Sequence, residues 1–174
     1  RRLDASTKWL VTAGQTAAVV VRRDMVSPYI VIGGIAAALL TSRIKRLINQ
    51  RRPPGSSFAD PGMPSSHALV ATFMAVAWMI FAQSLLVSAA LMMAAVSISV
   101  LRVVCGHHTW AQVIVGGLLG AAMALCWMQL GWALVHDGSA TAGKVLYIIY
   151  MAGSALFLAK QFKKARLREA KLAS

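Results

Sequence analysis

Acidic side chains are scarce in this chain, which has five Asp and Glu among 174 residues against 18 Lys and Arg. Hard metal ions such as Mg²⁺ are held by clustered carboxylates. The basic loops that carry the polar motifs contain one acid, Asp60, so we expect neither a metal nor another cofactor. The net charge of +13 could indicate nucleic acid, but the cations lie at the ends of apolar segments. That distribution is typical of membrane anchoring instead, and we expect no nucleic-acid partner.

Cysteine is rarer still, with two residues, and there is no initiator Met. Cys105 precedes an apolar segment and Cys126 lies deep inside it. A helix starting near Trp110 would separate them by far more than the ~7 Å that a disulfide allows. We therefore predict two reduced cysteines that serve as packing residues. Because the chain opens on Arg1, we expect an upstream segment, such as a targeting peptide, to be missing.

Apolar residues are what the chain has in abundance: 58% of it is hydrophobic and only 13% is charged. This composition indicates an integral membrane protein. We predict an all-α, polytopic bundle of about six spans, forming one domain over residues 1–174 with a basic tail at 161–174. The uncharged run Ala68–Leu101 would be about 50 Å long as one helix, too long for a ~30 Å bilayer core, so it must fold back, with the turn at Ala82–Ser84.

The other predicted spans follow from uncharged runs bounded by cations. Trp9–Val21 is shorter than the ~17 residues that a span usually needs, so it is either a weak span or an interfacial helix. The remaining three spans are Met25–Ser42, Trp110–Val135 and Val145–Ala159.

A basic loop, Arg43–His67, separates two of these membrane-length segments and holds five cations and one acid. It ends in Pro64-Ser65-Ser66-His67, which is typical of a helix start because a serine can cap it. The free N–H groups of a first helical turn attract anions. We therefore predict an anion site here, and phosphate is the anion we expect.

Six spans place this loop and the loop Arg102–Thr109 on the same membrane face. Both termini lie there too, so that face collects most of the cations, whereas the opposite face has Arg22, Arg23 and Lys144. The excess of cations stays on the same face even if Trp9–Val21 does not span the membrane. The positive-inside rule then predicts a site on the cytoplasmic or stromal face.

Three groups of residues converge on that face, and each alone has a simple structural interpretation. A basic pair could be a membrane anchor. A serine pair could be a helix cap, and an arginine with a histidine could be a buried polar pair. Their combination at membrane helix ends favours function. The groups are Lys45 with Arg52, then Ser65, Ser66 and His67, and finally Arg102 with His108.

These residues resemble the type 2 phosphatidic acid phosphatase superfamily, the lipid phosphate phosphatases. Its motifs are matched by KRLINQRRP at 45–53, PSSH at 64–67 and LRVVCGHHTWAQ at 101–112. The resemblance implies a metal-independent phosphatase in which His108 attacks phosphorus and His67 protonates the leaving oxygen. It also implies that the phosphate is held by Lys45, Arg52, Ser65, Ser66 and Arg102. Phosphoryl transfer depends mainly on positioning and charge neutralisation, which these cations can supply.

The chain departs from the family pattern at three positions. Leu101 replaces a Ser and Ser66 replaces a common Gly. Gln112 replaces the Asp that orients the nucleophile, and its amide oxygen can still accept a hydrogen bond from His108, one helical turn away. The His-Thr-Trp-x-Gln form resembles plastid lipid phosphate phosphatases and dolichyl diphosphate phosphatases. Motif spacing selects His108 as the nucleophile, with His107 as the alternative.

We therefore expect a membrane phosphatase that acts on a phosphorylated membrane lipid, most simply phosphatidic acid, through a phosphohistidine intermediate. The alternative substrate is a polyprenyl diphosphate of the dolichyl type. From other classes, the alternatives are a catalytically inactive lipid-binding relative and a haem protein with His67 and His108 as axial ligands. The expected location is the plastid envelope, with the endoplasmic reticulum as the alternative.

Overall fold

Helices are the only regular elements that the computed structural model shows in the residues it describes, which are 19, 21–22, 24–56, 58–82, 84–136, 141, 144–145, 147–153 and 155. The all-α prediction is confirmed for this part of the chain. Residues Ile30–Ala133 form one compact unit, and a second unit contains described residues that precede Ile30 or follow Ala133. The four long helices are α1 (Val26–Ile48), α2 (Ser66–Phe81), α3 (Leu85–Val104) and α4 (Trp110–His136).

Three of these helices are long and apolar enough to cross a membrane: α1, α3 and residues Trp110–Gly131 of α4. The helix α2 is apolar but has 16 residues. The predicted turn is confirmed, because α2 ends at Phe81 and α3 begins at Leu85. Most of Trp9–Val21 and part of Val145–Ala159 lie outside the described residues, so a count of six spans remains a prediction.

The helix α1 extends six residues beyond its predicted end at Ser42, to Ile48. Cations are favourable in the last turn of a helix, where the carbonyl groups carry partial negative charge, and Lys45 and Arg46 lie there. Asn49 then ends the helix with a positive φ of 48°, and its N–H donates to the Lys45 carbonyl oxygen. Asn tolerates this conformation better than most residues. Lys45 is therefore placed by a helix and not by a loop.

Glycines bring α2 and α4 into backbone contact. A Cβ atom at Gly116 would lie 2.7 Å from the Ser65 carbonyl oxygen, and one at Gly120 would overlap the Leu69 carbonyl oxygen. Small residues allow this close approach between membrane helices. The interface positions the start of α2, which carries Ser65, against the start of α4.

The two cysteines are free, in agreement with the disulfide argument. Both side chains are exposed, however, so the prediction that they are packing residues is wrong. The face of α4 that packs is defined instead by glycine and alanine, including Gly116, Gly120 and the fully buried Ala124.

Replacing Gly120 with Ala should destabilise the protein, because the added methyl group meets helix backbone that cannot rotate away. We expect Gly120→Ala to lower the free energy of unfolding by about 1–3 kcal/mol and to reduce the melting temperature in detergent. Gly117→Ala is the matched control, since its Cβ atom would lie an ordinary 3.5 Å from Thr72 Oγ1. Equal melting temperatures for the two variants would contradict this account of the interface.

Candidate active site

The predicted site residues come together where the end of α1, the α1–α2 loop, the start of α2 and the α3–α4 loop meet. Arg52 of the first loop is within hydrogen-bond distance of His108 of the second. Arg102, in the last turn of α3, is within the same distance of His67 in the first turn of α2. The two loops therefore lie at the same end of the helices, as the predicted composite site requires.

Lys45 and Arg52 share one carboxylate oxygen. Lys45 Nζ and Arg52 Nη2 each lie 2.8 Å from Asp60 Oδ2. The backbone adds two acceptors, because Lys45 Nζ donates to the Pro61 carbonyl oxygen and Arg52 Nε donates to that of Asp60. Burial raises the pKa of Asp60, but hydrogen bonds and charge from the two cations outweigh it and lower the pKa to about 2. The carboxylate is therefore ionised at any physiological pH.

His108 has hydrogen-bond partners at both ring nitrogens and is 2% exposed. Nε2 lies 3.0 Å from Arg52 Nη1, and Nδ1 lies 3.1 Å from Gln112 Oε1. Arginine can only donate, so Nε2 must accept and the ring proton must be on Nδ1, directed at the amide oxygen. The Gln112 contact lies where the sequence predicted it.

The amide of Gln112 is oriented by the α1–α2 loop, which the sequence did not indicate. Its nitrogen donates to Gln50 Oε1 at 3.2 Å and to the Arg51 carbonyl oxygen at 2.9 Å. Two acceptors on that side fix the amide so that Oε1 faces His108. Gly62 lies directly over this amide, since a Cβ atom there would be 2.5 Å from Gln112 Nε2. Local sequence spacing could reveal the Gln112–His108 contact but not these distant partners.

The surroundings of His108 keep its ring neutral. Burial lowers its pKa, and the positive charges of Arg52, Lys45 and Arg102 lower it further against the opposing effect of the hydrogen bond that the ring donates to Gln112, giving a value of about 4. At neutral pH the imidazole therefore has a lone pair on Nε2. Such a group can attack an electrophile without first losing a proton.

His67 has the opposite arrangement of ring proton. Arg102 Nη2 lies 3.1 Å from His67 Nδ1, so this nitrogen accepts and a neutral ring carries its proton on Nε2. His67 is half-buried, whereas His108 is buried. The two histidines thus present different groups, a lone pair at one and an N–H donor at the other.

The serine pair differs in one respect from the prediction. Ser65 is the N-cap of α2, but its side chain makes no capping hydrogen bond, and no partner for Oγ is present among the described residues. Its backbone is held instead, because the Ser65 N–H donates to the Gln112 carbonyl oxygen at 3.0 Å. Ser66 is the first residue of α2 and is half-buried. The first-turn N–H groups are thus not capped by this hydroxyl.

The aromatic ring of Phe58, which the sequence did not indicate as part of the site, lies beside Arg52 and Arg102. Phe58 is 4.9 Å from the guanidinium carbon of Arg52 and 6.0 Å from that of Arg102, measured to the ring centre. The rings of Phe58 and His107 form a T-shaped pair with a centroid distance of 4.9 Å. Such cation–π contacts stabilise guanidinium groups over a ring face. His107 contributes its carbonyl oxygen, which accepts from Arg52 Nη1 at 2.9 Å.

Within the described part of the chain, no three His, Cys, Asp or Glu residues are grouped as they would be in a metal site. The groups that meet here are three cations, the carboxylate of Asp60, the imidazoles of His67 and His108, and the start of a helix. This set is suited to binding an anion with several oxygen atoms.

Comparison with known proteins agrees with this arrangement. The family model for the PAP2 superfamily matches residues 28–135, which include all the site residues described above. The chain belongs to the PAP2 superfamily. The recognition made from the three motifs is therefore confirmed. No solved structure gives a significant match to the chain.

Curated relatives within this superfamily are named as phosphatases. The chain is 29% identical to lipid phosphate phosphatase epsilon 2, chloroplastic, of Arabidopsis thaliana, over 86% of this chain and 55% of that protein. It is 28% identical to lipid phosphate phosphatase epsilon 1, chloroplastic, of the same plant, over 88% of this chain and 58% of that protein. It is 34% identical to dolichyldiphosphatase 1 of Rhinolophus ferrumequinum, over 48% of this chain and 44% of that protein. The chain thus spans about half the length of these relatives.

The hydrogen bond between Gln112 and His108 leads to a prediction for the imidazole pKa. In ¹⁵N-histidine NMR spectra of the protein in micelles, His108 should be the Nδ1–H tautomer and should titrate near pH 4. Gln112→Asp should raise this pKa by about 1 to 3 pH units, because a carboxylate favours the imidazolium form. Gln112→Leu should not raise it. A His108 pKa that is the same in all three proteins would show that Gln112 does not act on the ring.

Proposed function

We propose that this protein is a metal-independent lipid phosphate phosphatase that acts through a phosphohistidine at His108. The observation that carries the proposal is a neutral, buried imidazole whose Nε2 lone pair faces a group of cations. Phosphoryl transfer needs a positioned nucleophile and stabilisation of charge on the phosphoryl oxygens. Lys45, Arg52 and Arg102 would provide that charge, together with N–H groups at the start of α2.

The first chemical step forms a bond from His108 Nε2 to phosphorus and breaks the bond from phosphorus to the lipid oxygen. His67 would protonate the departing oxygen from Nε2–H as an imidazolium ion, which forms when the phosphate draws Arg102 away from Nδ1 and that nitrogen takes up a proton. In the structure, Arg52 Nη1 donates a hydrogen bond to His108 Nε2. Binding of the phosphate must therefore redirect this N–H from the histidine nitrogen to a phosphoryl oxygen. The nucleophile and the phosphate would then be held by the same guanidinium.

The second step returns the enzyme to its starting state. Water attacks phosphorus, the phosphorus–nitrogen bond breaks, and His67 accepts the water proton that replaces the one it gave up. During both steps the phosphorylated ring keeps its proton on Nδ1, directed at Gln112 Oε1. A neutral amide orients this ring but stabilises its positive charge less than a carboxylate would. Gln112 thus has a positioning role in the proposal.

The proposed substrate is phosphatidic acid, which would yield diacylglycerol. Support comes from two relatives named as lipid phosphate phosphatases. Three apolar helices would also anchor the protein in the membrane, where such a lipid is found. A polyprenyl diphosphate is the second candidate, favoured by the dolichyldiphosphatase match. Because two relatives are chloroplastic, we propose the plastid envelope as the location, with the site on the stromal face.

A covalent intermediate tests the assignment of His108. Wild-type protein mixed with ³²P-labelled lipid and quenched in alkali should retain a base-stable, acid-labile label, because phosphohistidine has these stabilities. His108→Ala should abolish the label and His107→Ala should keep it. Labelling that depends on His107 would move the nucleophile by one residue. Absence of both label and phosphate release from wild type would favour the inactive lipid-binding alternative.

A substrate comparison in mixed micelles tests the lipid assignment. We expect kcat/KM for phosphatidic acid to exceed that for a polyprenyl diphosphate by about 10-fold or more, a difference of at least ~1.4 kcal/mol in transition-state binding. The assay contains excess EDTA, with added Mg²⁺ as the control. A reversed preference would favour the dolichyl-type function, and activity that requires Mg²⁺ would contradict the metal-independent mechanism.

A further inference from the structure

Asp60 occupies the position between two cations that the proposed function gives to a phosphate. Its Oδ2 atom accepts hydrogen bonds from both Lys45 Nζ and Arg52 Nη2 at 2.8 Å. Neither the motif matches nor the predicted site residues include this carboxylate. Asp60 is also the one acid in the segment Arg43–His67, which covers the end of α1, the α1–α2 loop and the start of α2 and holds five cations. Its placement against those two particular cations therefore needs an explanation.

Most hydrogen-bond donors of the two cations already have partners, and four of these six contacts are to Asp60 or Pro61. Lysine has three N–H donors and arginine has five. Lys45 directs donors at Asp60 Oδ2 and the Pro61 carbonyl oxygen. Arg52 directs donors at Asp60 Oδ2, the Asp60 carbonyl oxygen, the His107 carbonyl oxygen and His108 Nε2. Each cation keeps one further N–H, but Asp60 Oδ2 fills the position at which a single oxygen accepts from Lys45 Nζ and Arg52 Nη2 together, so a phosphoryl oxygen can take that bridging position only if the carboxylate leaves it.

Exposure shows which partner can leave. The side chains of Lys45 and Arg52 are each 8% exposed, whereas that of Asp60 is 53% exposed. Buried cations need an anionic partner, since an uncompensated charge away from water is costly. Asp60 stays ionised above a pH of about 2, so it separates from the cations by exchange with another anion. A dianionic phosphate is such an anion.

We propose that Asp60 is an internal counter-anion that competes with phosphate for Lys45 and Arg52 and thereby sets the affinity of the site for phosphate. This inference rests on the proposed function of those two cations. In the empty site the carboxylate neutralises part of their charge. After hydrolysis it returns to them and so favours release of inorganic phosphate, the product that would otherwise bind most strongly to three cations.

A simple structural role for Asp60 makes the opposite prediction. If the carboxylate only positions Lys45 and Arg52, its removal must weaken the binding of phosphate. If it competes, removal must strengthen binding, because two charge-assisted hydrogen bonds no longer have to be exchanged. The direction of the change in affinity therefore distinguishes the two roles, and loss of structure cannot mimic a gain in affinity.

The experiment measures inhibition constants for inorganic phosphate and for vanadate with purified protein in mixed micelles. We expect Asp60→Asn to lower both constants by about 10-fold or more and to lower KM for the lipid without raising kcat. Asp60→Glu should remain near wild type, because it restores the negative charge. Asp24→Asn is the control, since Asp24 pairs with Arg22 outside these loops and its removal should leave both constants unchanged.

Higher inhibition constants in Asp60→Asn, or constants equal to those of wild type, would overturn the inference. Asp60→Ser is a second neutral variant if Asp60→Asn does not fold. Phosphate binding is also measured by thermal shift, which does not depend on turnover. Absence of phosphate release from wild type would reject the proposed function alone. The inference about Asp60 would be rejected separately if removal of its charge failed to strengthen phosphate binding.

Discussion

The need to compensate cations buried at the end of a membrane helix bundle determines much of this structure. Lys45 and Arg52 are almost fully removed from solvent, and both converge on Asp60 Oδ2 and nearby carbonyl oxygens. Arg52 is at the same time within hydrogen-bond distance of His108 Nε2. Its charge helps to keep that imidazole neutral. Compensation of charge and the neutral state of the proposed nucleophile therefore depend on one guanidinium.

Sequence patterns predicted those parts of the fold that follow from length and spacing. The Ala68–Leu101 run exceeds the bilayer thickness, so a turn near Ala82–Ser84 could be inferred and is present. The Gln112–His108 contact could be inferred because residues four apart lie on one helix face. The end of α1 was misplaced, because the cations Lys45 and Arg46 were interpreted as part of a loop although a last helical turn favours them.

The contacts that complete the site could not be predicted, because they join residues far apart in the chain. Gln50 and the Arg51 carbonyl group orient the Gln112 amide from a loop more than sixty residues earlier. Asp60 was noted only as an isolated acid, since spacing does not show which cations a loop residue will meet. Phe58 gave no signal, as a single aromatic residue in a loop has no periodicity. Each of these contacts depends on the path of the α1–α2 loop.

If α1 spans the membrane, its extended end determines the depth of the site in the bilayer. A helix of 23 residues is about 35 Å long at ~1.5 Å per residue, and the hydrocarbon core is only ~30 Å thick. If α1 begins at one boundary of this core, its last turn, which carries Lys45, extends past the other boundary into the headgroup layer. That layer is where a membrane lipid carries its phosphate. A lipid could therefore diffuse laterally to Lys45 while its acyl chains stay among those of its neighbours.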